Sequence, residues 1–194
     1  MRLSIVTLGH VHSEDLAPLT TRFEHLEQLV LDIPPRVELS SHRAEFNRAV
    51  DAASTDWLLI VREREVIDDA LATEIHAVAS DAKAPGFRIR SIPFYAGKPL
   101  HLTRDDGELR LFHRRHLLRR GELTVQGTIM RLANPLRSIT FASANEHREH
   151  LAKNASRRSV VKRVLTFAGY LLGVRTLDAN TLQYLWIEAG FAMP

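Results

Sequence analysis

Apolar residues in the first third of the chain alternate between short continuous runs and helical spacing. Continuous runs occupy Leu3–Leu8, Gln28–Leu31 and Trp57–Val61, and runs of this length between polar segments predict buried strands. Apolar residues recur every three or four positions over Ser13–Leu26 and Ser41–Ala53, which predicts a helix at each place. A succession of strand, helix, strand, helix and strand favours a mostly parallel sheet.

The pattern changes after Gly86. Residues Phe87–Ile92 alternate with period two, and short apolar runs follow at Leu109–Phe112 and Ile129–Leu132, which predicts antiparallel strands. Helical spacing returns beyond Asn145. The predicted fold class is therefore α/β, with a mostly parallel central sheet, a mixed or antiparallel second half and C-terminal helices.

Composition places the chain among ordinary globular proteins. With 194 residues, 45% of them apolar, it is long enough for one full core. We expect one domain over 1–155 and a helical extension over 156–194 that packs on it. The chain has no cysteine, so a disulfide framework, a thiolate metal site and a cysteine nucleophile are excluded. This composition fits a reducing cytoplasm.

Basic residues are clustered rather than spread. The net charge is +3, and arginines are concentrated in 110–120 and again in 157–163. Such clusters suit phosphate-bearing ligands or anionic lipid, and nucleic acid is not the expected partner. The helix predicted over 157–172 either packs on the sheet domain or docks peripherally on the inner face of a membrane.

Several chemistries leave no motif in this chain. It contains no glycine-rich phosphate loop, no dinucleotide fingerprint and no serine elbow. His147 and His150 lie three positions apart on a predicted helix, but the charged residues around them indicate a solvated face rather than a zinc site.

The strand at Trp57 runs directly into Arg62-Glu63-Arg64-Glu65, and the residues that follow predict a helix over Asp68–Ala79. Open α/β sheets place ligand chemistry at the carboxyl ends of their parallel strands. If the strand stays extended, Arg62 and Arg64 face one side and Glu63 and Glu65 the other, and a slip of one residue exchanges the two pairs. A salt-bridged, solvated strand end is the alternative.

Five stretches carry a resemblance to a known family: Phe46–Val61, Phe87–Arg90, Tyr95–Lys98, Arg110–Arg115 and Glu146–Lys153. Their order and spacing resemble bacterial family 2 glycosyltransferases of the lipopolysaccharide-core type. The resemblance implies a GT-A fold, which is a three-layer α/β/α sandwich, and a nucleotide-diphosphate-sugar donor. It also implies an inverting transfer at the inner face of a bacterial membrane.

The chain departs from this family at the polar positions. The family's metal motif, Asp-x-Asp-Glu, corresponds to Arg62–Glu65, so only Glu65 matches. The arginine expected before Asn47 is Phe46, and a His-Glu pair whose carboxylate would be the general base falls on or near Gln126 and Gly127. The connection after Asp32 is also short.

Two guanidinium groups in place of two carboxylates would repel Mg²⁺ or Mn²⁺. We therefore expect no metal cofactor, with the arginines neutralising the diphosphate directly through paired hydrogen bonds. The predicted nucleotide-sugar residues are Asp32, Arg43, Asn47, Arg62, Glu63 and Arg64. Lys98 and Arg110 are predicted to bind phosphate or acceptor. Glu65 is the predicted catalytic carboxylate, with Asp105 and Asp106 as weaker candidates.

Three functions remain open at this point. The first is transfer of a sugar, without metal, to a cell-envelope glycan or lipid-linked acceptor. The second is a catalytically silent homologue that serves as a binding or assembly subunit. The third, least favoured, is a small basic nucleic-acid binder. For the first two we expect a cytoplasmic protein, with peripheral membrane contact as the variant.

Overall fold

The computed structural model describes residues 1–33, 39–100, 106–118, 123–154 and 178–188. The chain forms two compact units. The first contains Met1–Ser91 and Asp106–Arg137, and the second contains the described residues of Ile92–Asp105 and Ser138–Pro194. The boundary expected near 155 lies outside the described residues and stays a prediction, as does the helix expected over 157–172.

A six-stranded sheet is the centre of the first unit. The strands are β1 (Arg2–Leu8), β2 (His25–Leu31), β3 (Trp57–Arg62), β5 (Gly86–Ile89), β8 (Glu108–His113) and β11 (Ile129–Arg131). Their order across the sheet is β11-β5-β8-β3-β1-β2. Strands β2, β1 and β3 are parallel, and β8 runs antiparallel between β3 and β5. The predicted α/β class, with a parallel first half and a mixed second half, is confirmed.

Helices cover both faces of this sheet. The elements are α1 (Ala17–Thr20), α2 (Arg43–Ala52) and α3 (Asp69–Asp81), with 3-10 turns at Ser13–Leu16, Leu39–His42 and Arg114–His116. On β3, Leu59 and Val61 pack with α3 while Leu58 and Ile60 pack with α2. Because both faces are buried, the strand is apolar at every position rather than at alternate ones. The three-layer α/β/α arrangement follows from this.

The helix expected over Ser13–Leu26 is much shorter than predicted. It consists of a 3-10 turn followed by α1, which ends at Thr20, and β2 already begins at His25. Thr20 Oγ1 donates to the Ala17 carbonyl at 2.8 Å, and Thr21 Oγ1 donates to the Pro18 carbonyl at 3.1 Å. These side-chain bonds satisfy carbonyls locally, which allows the helix to stop.

The remaining strands of the first unit are short: β4 (Glu65–Val66), β9 (Leu117–Leu118) and β10 (Thr124–Val125), of which β9 and β10 pair antiparallel. Helix α3 begins where the sequence predicts. The Asp68 carboxylate accepts from the Leu71 N–H at 2.9 Å as an N-cap, and the helix ends with Ala82 in the left-handed region.

The second unit contains most of β6 (Ser91–Tyr95) and β12 (Leu136–Phe141), together with β7 (Lys98–Pro99), α4 (Ala144–Asn154) and α5 (Ala179–Glu188). Its core includes Tyr95, Phe141 and Ile187. The solvated face predicted for His147 is wrong, because this side chain is fully buried. The ring stacks 4.2 Å from Phe141, and Nε2 lies 2.8 Å from Glu188 Oε2.

Among the described residues, no helix has the length and apolar character that crossing a membrane requires.

Candidate functional site

The charged segment after β3 turns sharply instead of continuing as a strand. Glu63 and Arg64 form a turn, and Arg64 has a φ of 65°, in the left-handed region. The Glu65 carboxylate accepts from the Arg62 backbone N–H at 2.7 Å and closes this turn. The expected alternation, with Arg62 and Arg64 on one face and Glu63 and Glu65 on the other, is therefore wrong.

Glu65 and Arg110 form a buried ion pair. Arg110 Nη2 lies 3.0 Å from Glu65 Oε1, and Nη1 lies 3.2 Å from Oε2. The two side chains are only 4% and 3% exposed. Such a two-pronged pair is geometrically specific, and removing one member leaves an uncompensated buried charge. Glu65 thus connects the turn after β3 to strand β8.

Glu108 and Arg62 form a second ion pair, which is more exposed to solvent than the first. Glu108 Oε2 lies 2.8 Å from Arg62 Nη2, and Oε1 lies 3.3 Å from Nη1. The pairing of β3 with β8 ends at Leu59 and Leu111, and Arg62 and Glu108 meet through their side chains beyond it. Glu108 Oε2 is also 3.3 Å from Nε of Arg110. We refer to Arg62, Glu65, Glu108 and Arg110 as the charge network.

This geometry confirms part of the alternative expected for the strand end, since Arg62 and Glu65 are both salt-bridged. It differs from that expectation in solvation. The Glu65 side chain is buried, whereas that of Glu108 is 54% exposed. The Glu65 carboxylate is therefore part of the buried structure, whereas the Glu108 carboxylate is accessible to solvent.

The charge network borders a cleft of about 280 Å³ at the carboxyl end of β3. The cleft is lined by Leu39, Ser40, Ile60, Arg62, Arg88, Glu108, Leu109, Arg110 and Leu123. Among the described residues, three guanidinium groups and one carboxylate line it, and their formal charges sum to a positive value. Ile60 and Arg62 are two positions apart on β3 and share the face that α2 covers.

Among the described residues that line this cleft, hydrogen-bond donors exceed acceptors. The Nε atoms of Arg62 and Arg110 are buried, and neither makes a hydrogen bond to a described residue, although Arg110 Nε lies 3.3 Å from Glu108 Oε2. Arg88 Nη1 donates to the Gly107 carbonyl at 3.0 Å. Buried polar groups are normally hydrogen-bonded, so a surplus of cationic donors favours an anionic ligand.

The ends of the parallel strands bring two further predicted residues to the same sheet edge. The Glu63 N–H donates to the Leu8 carbonyl at 2.8 Å, and the Gly9 N–H donates to the Leu31 carbonyl at 3.1 Å, next to the exposed Asp32. Gly9 has a φ of 77°, and a Cβ there would lie 2.8 Å from Glu63 Oε2. Glycine at this position lets the Glu63 carboxylate lie against the end of β1.

The other predicted residues lie in different places. Arg43 is exposed on the first turn of α2, and Asn47 is half-buried one turn later, but neither lines the cleft. Lys98 is exposed in the second unit. Asp106 Oδ1 lies 3.2 Å from Arg131 Nη2, and Asp105 is outside the described residues. The roles predicted for these residues stay predictions.

Two charged lining residues were not predicted from the sequence, Arg88 and Glu108. Arg88 occupies a polar position of the alternating run after Gly86, which was a usable signal. Glu108 is recognised only from its contact with Arg62, which a single sequence does not show.

The positions that correspond to the family's His-Glu pair lie at the opposite edge of the sheet. Gln126 and Gly127 line a second cleft, of about 410 Å³, together with Trp57 and His113. Trp57 begins β3 and lines the second cleft, whereas Arg62 ends β3 and lines the first. At the strand rise of about 3.3 Å per residue, these two residues are about 16 Å apart. Burial lowers the pKa of His113, outweighing the opposite effect of Asp56.

The residues present do not suit the divalent metal that the resemblance implies. Among the described residues, no group of three or more His, Asp or Glu side chains is arranged to hold a metal ion. At the end of β3, Glu65 and Glu108 already face guanidinium groups. The lack of a metal cofactor stays a prediction, and the guanidinium chemistry of this edge supports it.

Comparisons with known proteins detect similarity only at the level of structure. No protein-family model matches the chain, and no curated protein matches it. The structure is similar to S. aureus TarS, a glycosyltransferase, at 10% identity and a TM-score of 0.39, over 95% of this chain and 71% of residues 1–349 of TarS. The complex of that TarS fragment with UDP has 12% sequence identity and a TM-score of 0.44, and the match covers 99% of this chain and 73% of the fragment. Its complex with UDP-GlcNAc has 12% sequence identity and a TM-score of 0.42, and the match covers 95% of this chain and 70% of the fragment.

At these values the similarity assigns neither a family nor an activity to this chain. The sheet described above, parallel in its first half with β8 inserted antiparallel, is consistent with a GT-A-like α/β fold.

Proposed function

We propose that this chain binds a nucleotide-diphosphate sugar in the cleft beside the charge network and does so without a metal ion. The observation that carries the proposal is the convergence of Arg62, Arg88 and Arg110, from three neighbouring strands, on one cleft at the carboxyl end of β3. Guanidinium groups pair with phosphate oxygens through two parallel hydrogen bonds. A diphosphate would therefore receive from arginine the neutralisation that a metal ion provides elsewhere.

The arginines that line the cleft have different proposed roles. Arg62 is 25% exposed, so it can reach a ligand in the cleft, whereas Arg110 is almost completely buried. We propose Arg62 and Arg88 as the groups that contact phosphate, with Arg110 supporting them from below. The resemblance supports a sugar nucleotide as the ligand class, and a lipid-linked or cell-envelope glycan as the acceptor.

Glu65 fits a positioning role better than the catalytic role predicted for it. Both of its oxygens contact Arg110, one of them also accepts from the Arg62 N–H, and the side chain is buried. A general base must reach the acceptor hydroxyl at hydrogen-bond distance. We propose that Glu65 instead holds the turn that presents Arg62.

This observation favours a second candidate function, a silent homologue that binds a nucleotide sugar as part of an assembly. The matched carboxylate is engaged in the fold, and the positions corresponding to the family's base lie at the other sheet edge. Both candidates require the same ligand in the same cleft. They differ in whether the bound donor is consumed.

Calorimetric titration with UDP and with GDP tests the shared claim. We expect binding of at least one of them in EDTA, with an affinity that added MnCl₂ does not change. Arg62→Ala should weaken it by about tenfold or more, since a hydrogen bond to a charged group contributes about 1.5–3 kcal/mol. Arg48→Ala is the matched control, because Arg48 is 77% exposed on α2 and lies outside the cleft.

Binding that requires manganese, or that Arg62→Ala leaves unchanged, would contradict the proposal. Incubation with a labelled sugar nucleotide then separates the two candidates. Release of nucleoside diphosphate indicates transfer or hydrolysis, and it would contradict the silent homologue.

A further inference from the structure

The two carboxylates of the charge network differ in how firmly they are held. Glu65 is 4% exposed, and both of its oxygens contact the Arg110 guanidinium. Glu108 is 54% exposed and lies at the first position of β8. Exposed ion pairs contribute little to stability, so the Glu108 contacts are exchangeable while the Glu65 contacts are part of the fold.

Glu108 occupies a position that suits a phosphate group. Its two oxygens meet both Nη atoms of Arg62, at 2.8 and 3.3 Å. One of the same oxygens lies 3.3 Å from Arg110 Nε. Two oxygens of a phosphate group would present the same arrangement to this arginine pair.

The donors around Glu108 are not saturated by it. Among the described residues, no group forms a hydrogen bond with the buried Nε of Arg62 or of Arg110, and Glu108 Oε2 approaches Arg110 Nε only as an ion-pair contact at 3.3 Å. A carboxylate has two oxygens, whereas a diphosphate has at least four non-bridging oxygens, so a diphosphate could accept from more of these donors than Glu108 does.

We infer that Glu108 is a built-in anion that occupies the phosphate subsite of this cleft and must be displaced when a phosphate-bearing ligand binds. This inference rests on the proposed function, and it deepens it by naming the subsite and the residue that limits affinity there. Because Glu108 competes only at the phosphate subsite, it lowers affinity for pyrophosphate and nucleoside diphosphates and has no effect on recognition of a nucleoside alone.

The test is calorimetric titration of the full chain at low ionic strength with inorganic pyrophosphate, UDP and uridine. We expect Glu108→Gln to bind pyrophosphate and UDP about fivefold more tightly than wild type, the size set by loss of an exposed ion pair. Uridine binding should not change. Glu108→Ala should give the same direction of change, which separates loss of the charge from any new contact made by glutamine.

Glu45→Gln is the matched control. Glu45 lies on the first turn of α2, pairs with Arg48 at 3.8 Å, and does not line the cleft. Its removal changes the net charge of the protein by the same amount. An equal gain in this variant would overturn the inference, because the effect would then come from the overall field.

Pyrophosphate affinity that is unchanged or weaker in both Glu108 variants would also overturn it, as would a lack of pyrophosphate binding by every form. If the Glu108 variants bind pyrophosphate more tightly than wild type, but neither wild type nor any variant binds UDP or GDP, the inference about Glu108 is supported and the proposed function is contradicted. The two claims therefore fail separately.

Discussion

The buried Glu65–Arg110 pair is the residue-scale feature on which the cleft depends. Glu65 follows a turn that places Arg64 in the left-handed region, which costs an L-residue other than glycine roughly 1–2 kcal/mol. The turn is maintained because the Glu65 carboxylate accepts from the Arg62 N–H and is itself neutralised by Arg110. Glu65 on β4 and Arg110 on β8 thus hold the turn that follows Arg62.

Arg110→Ala is expected to lower the free energy of unfolding by about 3–5 kcal/mol, because it leaves the Glu65 charge buried without a partner. The measurement is urea unfolding at neutral pH. Arg137→Ala is the control, since Arg137 is 48% exposed and pairs with Asp68 at 2.9 Å, and it should cost less than about 1 kcal/mol. Equal losses in the two variants would show that the buried pair is not a special contributor.

Glu27 provides a residue-scale prediction of pH dependence. Partial burial raises its pKa, but hydrogen bonds from the Ser4 hydroxyl and from the backbone and hydroxyl of Ser54 outweigh this, so the pKa is lowered overall. A lowered carboxylate pKa in the folded state contributes stability above the usual value of 4.5, and that contribution is lost as pH falls through the folded-state pKa.

Glu27→Gln should therefore be less stable than wild type at neutral pH, and the difference should shrink below pH 4.5. Thermal unfolding of both proteins across this range measures it. A difference that stays constant, or that grows as the pH falls, would contradict the assignment.

At the scale of elements, the site lies where strands end and helices begin. Asp68, at the start of α3, is an example of one side chain that contacts two elements. Its Oδ1 caps α3 by accepting from the Leu71 N–H at 2.9 Å, and its Oδ2 lies 2.9 Å from Arg137. The sequence predicts this helix start correctly because the cap and the apolar repeat are adjacent in the chain.

Asp68→Ala is expected to cost about 1–2 kcal/mol, since it removes the cap and the ion pair together. Asp68→Asn keeps a good capping side chain and removes only the charge, so its loss should be a few tenths of a kcal/mol. Chemical unfolding of the two variants separates the contributions. If asparagine proved as costly as alanine, the cap would not be the source of the stability.

Elements whose signals are local were predictable, and those that depend on distant partners were not. The strand at Trp57 and helices α2 and α3 follow from apolar runs and spacing. The turn at Arg64 does not, because it depends on Arg110, which lies far along the chain. The length of α1 was predicted wrongly for a different reason: its end is set locally, by two threonine side chains that fit a helical repeat equally well.

At the scale of the whole molecule, the sequence predicts the α/β class and one edge of the sheet as the site. It does not predict that the second unit combines a segment from the middle of the chain with the C-terminal part, since local patterns do not show which segments meet. His147 illustrates the same limit, because its polar neighbours indicate exposure while Phe141 and Tyr184 enclose it.

The central claim is that guanidinium groups, rather than a metal ion, hold a diphosphate at the carboxyl end of β3. A crystal structure of the protein grown with UDP and EDTA tests it most directly. We predict a diphosphate within hydrogen-bond distance of the Arg62 guanidinium, with the Glu108 side chain turned away from it. A nucleotide bound elsewhere, or one seen only with manganese coordinated to its phosphates, would contradict the account.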